Sequence, residues 1–193
     1  MYFSSFSLSN RDALVELVSA LLEDMFTAPP PSVPSQFGSE PPTSLSIWVR
    51  RITSCCRLDS FVTLLSVYYL DRMHRRNPSL KISSINGHRC FLVSCCLAAK
   101  FCNDQTYLND YWASLGAPFY TRALMNTMEL EMLDMLGWNL RVEPSELACF
   151  LSEKLQTLRL KEPDLVDSFL EYDSDGDNLL SPQCKVSDVT FVI

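Results

Sequence analysis

The chain has 193 residues, of which 47% are hydrophobic and 20% charged, and its formal net charge is −7. A chain of this size buries roughly two-thirds of its unfolded surface, so it can build a core without disulfide or metal staples, and this composition excludes a disordered polypeptide. The acidic balance argues against nucleic acid as the main partner, and no apolar run reaches the roughly 18 residues needed to cross a bilayer; neither nucleic acid nor a membrane is expected.

The first residues, Met1-Tyr2-Phe3-Ser4-Ser5, lack a basic stretch followed by an apolar core, so no secretory signal is expected. Asn10, a good helix cap, precedes Ala13, Leu14, Leu17, Val18, Leu21, Leu22 and Met25 at helical spacing. This helix should stop near Phe26, because six of the eleven prolines fall between Pro29 and Pro42 and impose an extended linker. A second helix is expected over about 45–56. Asp59 caps a third, whose apolar positions Phe61, Leu64, Leu65, Tyr68 and Met73 run until Asn77-Pro78.

Ser84 can cap a fourth, over about 86–102, that is apolar on all faces and therefore belongs at the centre of the domain. A short helix surrounds Asn109–Leu115 and stops at Gly116. Pro118 suits the opening of the next, which reaches Leu136 and ends at Gly137. A last helix starts near Pro144 and carries Leu147, Phe150, Leu151, Leu155 and Leu158. From Glu162 the chain turns acidic and reads as a loose tail. No strand alternation of useful length precedes Val186–Ile193, so the fold class is all-α.

Chemistry-bearing motifs are scarce. The eight cysteines include no CxxC, and His74 and His88 are the only histidines, so no zinc site is expected and the thiols read as small buried hydrophobes in a reducing compartment. No phosphate loop, nucleophile elbow or zinc-protease motif occurs. Asp173, Asp175 and Asp177 resemble the first half of a calcium loop. The bend position holds Asn178 and the bidentate glutamate is replaced by Cys184, so a solvated acidic turn is the stronger reading. Residues 50–100 hold nine of the sixteen Lys and Arg against Asp59 and Asp71 alone, leaving the remainder at −14. That basic segment is either a solvated face or a dock for an acidic partner.

Two ionisable residues stand inside apolar helices: Asp71 in Tyr69-Leu70-Asp71-Arg72-Met73, and Lys100 in Leu97-Ala98-Ala99-Lys100-Phe101. Buried charges need partners or a function. In order and spacing these two stretches resemble the second and third helices of the cyclin box. The likeness is strongest to the yeast phosphate-regulon cyclins and the plant P-type (U-type) cyclins. It extends to Arg51-Ile52, to Asn86-Gly87-His88-Arg89, and to the set Asp104, Tyr107, Asn109, Trp112, Ala113, Leu115 and Gly116. Met125, Asn126, Met128, Glu129, Met132 and Leu133 continue it, and Trp138-Asn139-Leu140 closes it.

The resemblance implies a single five-helix cyclin box over 44–143. An extra N-terminal helix in 1–27 and a Pro-rich linker over 28–43 precede it; a C-terminal helix over 144–160 and an acidic tail over 161–193 follow. It implies a regulatory subunit, not an enzyme, that binds and activates a cyclin-dependent protein kinase through the kinase's regulatory helix, with no cofactor or metal, in the nucleus and/or cytoplasm. Lys100 and Glu129 would hydrogen-bond the kinase, while Leu97, Leu133, Trp138 and Leu140 line a pocket for one of its apolar residues. Arg51 and Asp71 would form an internal ion pair. Two family features are missing: Ala117 stands where a second glycine is usual, and the arginine-initiated substrate-docking stretch is absent from 47–52. The alternative is a cyclin-fold transcription or adaptor module without kinase activation, which the basic segment over 50–100 keeps open.

Overall fold

The computed structural model describes residues 8–26, 43–80, 84–167 and 169. Those residues contain α1 (Leu8–Met25), α2 (Leu45–Cys55), α3 (Ser60–Arg76), α4 (Ser84–Cys102), α5 (Asn109–Leu115), α6 (Arg122–Met135) and α7 (Pro144–Arg159), and no strand. Two compact units result, the first ending at Leu140 and the second starting at Arg141. The proline-rich stretch over 27–42, the side chain of Ser84, the carboxylates Asp173, Asp175 and Asp177, and the tail beyond residue 169 lie outside what is described.

In the first unit α4 is the hub. Every residue from Phe91 to Ala99 is buried, and α4 packs on α2, α3 and α6. Small polar residues let α3 and α4 approach closely, and backbone carbonyls satisfy their hydroxyls: Ser94 donates to the Ser66 carbonyl at 2.5 Å and Ser66 to that of Thr63 at 2.6 Å. Helix α1 packs on α2 and α3, burying Leu14, Val15, Leu17, Val18, Leu21, Leu22 and Phe26. It begins at Leu8, so Asn10 lies inside it instead of capping it.

Sequence-readable caps explain several ends. The Asp59 carboxylate accepts from the Val62 amide at 2.7 Å, and Ser44 accepts from that of Ile47. Helix α6 corrects one expectation. Pro118 stays in the preceding loop and the helix opens at Arg122, where the Thr121 hydroxyl takes the Leu124 amide. Thr121 supplies an acceptor for an orphan N–H, which proline cannot do.

The helix stops of α2 and α6 share one geometry. Leu58 and Arg57 return their amides to Thr53 and Ser54, and Trp138 and Gly137 return theirs to Leu133 and Asp134. This paired stop needs a left-handed residue, supplied by Gly137 (φ 66°) after α6 and by Arg57 (φ 50°) after α2.

Phe26 and Thr43, described residues on either side of 27–42, both meet the start of α4. The Phe26 ring sits so close to Gly87 that a Cβ there would stand 2.6 Å from it. His88 Nε2 donates to the Thr43 carbonyl at 2.9 Å, while the Trp48 indole donates to the carbonyl of His88 at 2.9 Å.

In the second unit Pro144 occupies the first turn of α7, where its missing N–H costs nothing. Glu146 reaches back to the Glu143 amide at 2.9 Å. The last residue of α7, Arg159, pairs at 2.5 Å with Asp167, which lies in further helical chain that includes 163–167.

Candidate functional site

The C-terminal turn of α4, the start of α5 and the middle of α6 meet in a polar network at the surface. Lys100 Nζ lies 2.5 Å from Glu129 Oε1 and 2.8 Å from Asn109 Oδ1. Asn109 Nδ2 donates in turn to Glu129 Oε2 at 2.7 Å and to Asn126 Oδ1 at 2.8 Å. The triangle closes in only one orientation of the amide. An ammonium has no acceptor and a carboxylate no donor, so the Asn109 oxygen must face Lys100 and its nitrogen Glu129.

Glu129 is 14% exposed and Lys100 33%. Bonds from charged groups in such partial burial outlast an exposed ion pair, worth about 0–1 kcal/mol. Lys100 also sits in the last turn of α4, where the helix dipole favours a cation. Beneath it the Cys96 thiol is pushed up to about 12 by burial, against the Lys100 charge, so it stays protonated.

Exposed apolar residues flank this network along the chain. Phe101 follows Lys100 and is 38% exposed, Leu108 precedes Asn109 at 78%, Leu130 follows Glu129 at 57%, and Trp138 stands at 63% after the stop of α6. Leu133 and Leu140 are half-buried. Leu97 is closed into the core at 2%, so it has the least surface to offer a partner. A left-handed non-glycine residue costs roughly 1–2 kcal/mol, and Trp138 adopts that conformation at φ 58° directly after Gly137.

The expected partnership of Arg51 and Asp71 is replaced by another. Asp71 is 5% exposed and its Oδ2 meets Arg75 Nε at 2.5 Å, one turn along α3. This is an ion pair without hydrogen-bond alignment. Arg51 is exposed and borders a depression with Ile47, Trp48, Leu115, Gly116, Ala117 and Phe119. The reason is packing: α2 lies chiefly on α1 and α4, whereas an i,i+4 arginine reaches Asp71 without crossing between helices.

Sequence reasoning missed the role of Asn109. It stood in the family pattern as one matched position among several, and its bridging function needs α5 and α6 folded against α4. Phe101 was counted with the core. Its position next to Lys100, one residue out of the buried stripe, was the available signal. Among the described residues no cluster of His, Cys, Asp or Glu could hold a metal, and no helix is long and apolar enough to cross a membrane.

Five helices, α2 to α6, with α4 buried among them and this network at its exposed end, define an all-helical cyclin box. The cyclin family model matches residues 6–140, and the chain belongs to the cyclin family. It is 33% identical over 125 residues to Cyclin-U4-1 of Arabidopsis thaliana, a match covering 65% of this chain and 61% of that protein. It is 29% identical over 130 residues to Cyclin-P4-1 of Oryza sativa subsp. japonica, covering 67% and 60%. With PHO85 cyclin-1 of Saccharomyces cerevisiae the identity is 30% over 133 residues, covering 67% and 47%. The chain thus spans about half to three-fifths of the length of these relatives. Cyclins are non-catalytic regulators of protein kinases, and the family match takes in α1 as well as the five helices of the box.

Proposed function

We propose that this protein is the regulatory subunit of a cyclin-dependent kinase of the PHO85 type, docking on the kinase's regulatory helix through Lys100, Glu129, Leu97, Leu133, Trp138 and Leu140. The observation that carries this reading is the Lys100–Asn109–Glu129 triangle among exposed apolar side chains. Helix recognition calls for that combination: apolar area supplies affinity, while a few preoriented polar groups set the register.

Activation follows by population shift. The free kinase rarely holds its regulatory helix in the competent position, and a partner that binds only that position raises its share by its differential affinity. Lys100 donates and Glu129 accepts at backbone groups of the docked helix, and Trp138 covers an apolar residue between them. The catalytic groups and magnesium belong to the kinase. Resemblance to the phosphate-regulon cyclins makes phosphate supply the proposed controlling input, with the cell cycle as the other.

The test is binding to purified PHO85 kinase of Saccharomyces cerevisiae by titration calorimetry. Wild type should bind, and Lys100→Ala with Glu129→Ala should weaken it by at least about tenfold, since truncating hydrogen-bonded charges at an interface costs about 2 kcal/mol or more. Undiminished binding in the double variant rules out this site.

A further inference from the structure

The turn that carries Trp138 is gripped from outside its own helix, by the C-terminal half of α3. Tyr69, fully buried, donates its phenol proton to the Leu140 carbonyl at 2.7 Å. Burial pushes that phenol far above its ordinary range, so it stays a donor. One turn on, Arg72 donates to the Asn139 carbonyl at 2.9 Å and lies over the Tyr68 ring at 4.8 Å. Asn77, which caps α3, donates to the Met135 carbonyl at 3.1 Å as well as to that of Met73 at 2.8 Å. The Arg76 guanidinium fills the space where a Cβ on Gly137 would stand.

The acceptors are the features to notice. A helix end leaves its last carbonyls without intrahelical donors. In α6 those of Leu133 and Asp134 are taken by the stop itself, and that of Met135 is taken by Asn77. Beyond the helix, Asn139 and Leu140 are held by Arg72 and Tyr69. Trp138 therefore lies between two fastened points, 135 and 139–140, in a left-handed conformation and 63% exposed. An unheld indole would gain by turning inward, because burying an aromatic ring is among the larger rewards in folding. A held one reaches a partner without paying to order itself.

We propose that Tyr69, Arg72 and Asn77 are positioning residues of the docking face: their grip on the carbonyls flanking Gly137–Trp138 holds the Trp138 indole outward as a preformed contact for the kinase. The use of the indole rests on the docking reading above; the grip itself does not.

The experiment uses the full 193-residue chain labelled with 5-fluorotryptophan, whose three tryptophans give three fluorine resonances. Trp138→Phe identifies the resonance of interest. Trp48 and Trp112, both buried, report whether the core is intact. Tyr69→Phe removes one hydroxyl and keeps the ring, and Arg72→Met keeps the length without the donors. Each should shift and broaden the Trp138 line and leave the other two in place.

Affinity for PHO85 kinase should fall about tenfold in either variant, the scale on which loss of preorganisation acts, and less than about twofold further when Trp138 is already alanine. A Trp138 line that stays put in both variants overturns the grip. Equal losses with and without Trp138 overturn the positioning role, because Tyr69 and Arg72 then do not act on binding through the indole. If Trp138→Ala binds the kinase like wild type, the docking role of the indole is wrong, and the fluorine spectra still decide the grip on their own.

Discussion

At the scale of single residues, Asn109 has the sharpest consequences. Its one amide serves Lys100, Glu129 and Asn126. Asn109→Ala should cost about 1–3 kcal/mol in urea unfolding, the penalty for leaving partly buried charged groups short of a partner. The same variant should weaken kinase binding while leaving Lys100 and Glu129 in the sequence. The thiols give a second residue-level outcome. Burial raises Cys56 and Cys96 to about 12 and Cys102 to about 11, and it raises Cys95 further. Among the described cysteines, a maleimide at pH 8 followed by peptide mass mapping should label exposed Cys55 and Cys149 first, with Cys56, Cys95 and Cys96 slow. These shifts also set a sign for stability. Above pH 9 the unfolded thiols ionise while the folded ones stay protonated, so the unfolded state binds fewer protons and stability falls as pH rises from 9 through 11–12. A urea midpoint that is flat from pH 8 to 10.5 would contradict this account.

At the scale of elements, what matters is how helices end and where they touch. Gly137 allows α6 to stop in the left-handed form and leaves room for Arg76. Gly137→Ala should lose about 1–2 kcal/mol, the left-handed penalty, before any shift of Arg76 is counted. Gly87 serves contact instead of conformation, since a methyl there would stand 2.6 Å from the Phe26 ring. Gly87→Val should destabilise by about 1–3 kcal/mol, the usual cost of overpacking. Hydrogen exchange should show faster opening of α1 than of α4 in that variant. Both glycines are visible in the sequence, but only Gly137 reads correctly from it, as a residue placed just after a helix. Nothing local distinguishes Gly87 from a weak helix former, because its reason lies sixty-one positions away in Phe26. Arg57 is the opposite case: it makes the same left-handed stop without a glycine to announce it.

At the scale of the whole molecule, α1 is part of the domain's structure. Leu17, Val18 and Leu22 are fully or almost fully buried and contribute roughly 1.5–3 kcal/mol each. Their sum rivals the 5–15 kcal/mol by which domains of ordinary size are stable. A chain starting at residue 43 should therefore fail to give a cooperative melt, whereas one starting at residue 8 should melt like the full first unit. The box over 44–143 is then the proposed docking region, and α1 is what allows it to stand.

Periodicity and caps determined a good deal by themselves: an all-helical chain, a central α4, the stop at Gly137, and Asp71 and Lys100 as ionisable residues that had to be explained. These are local properties, since helix phase, end chemistry and the oddity of a charge in an apolar run are written within a few turns of chain. Which partner each charge takes was decided by the tertiary structure. Asp71 went to Arg75 because α2 turns to α1 and α4, Asn109 became the bridge because α5 meets α6, and Trp138 faces outward between carbonyls held by α3. Hydrogen bonds and ion pairs act over a few ångströms in space with no regard for distance along the chain, so they exist only once the helices have been set against one another.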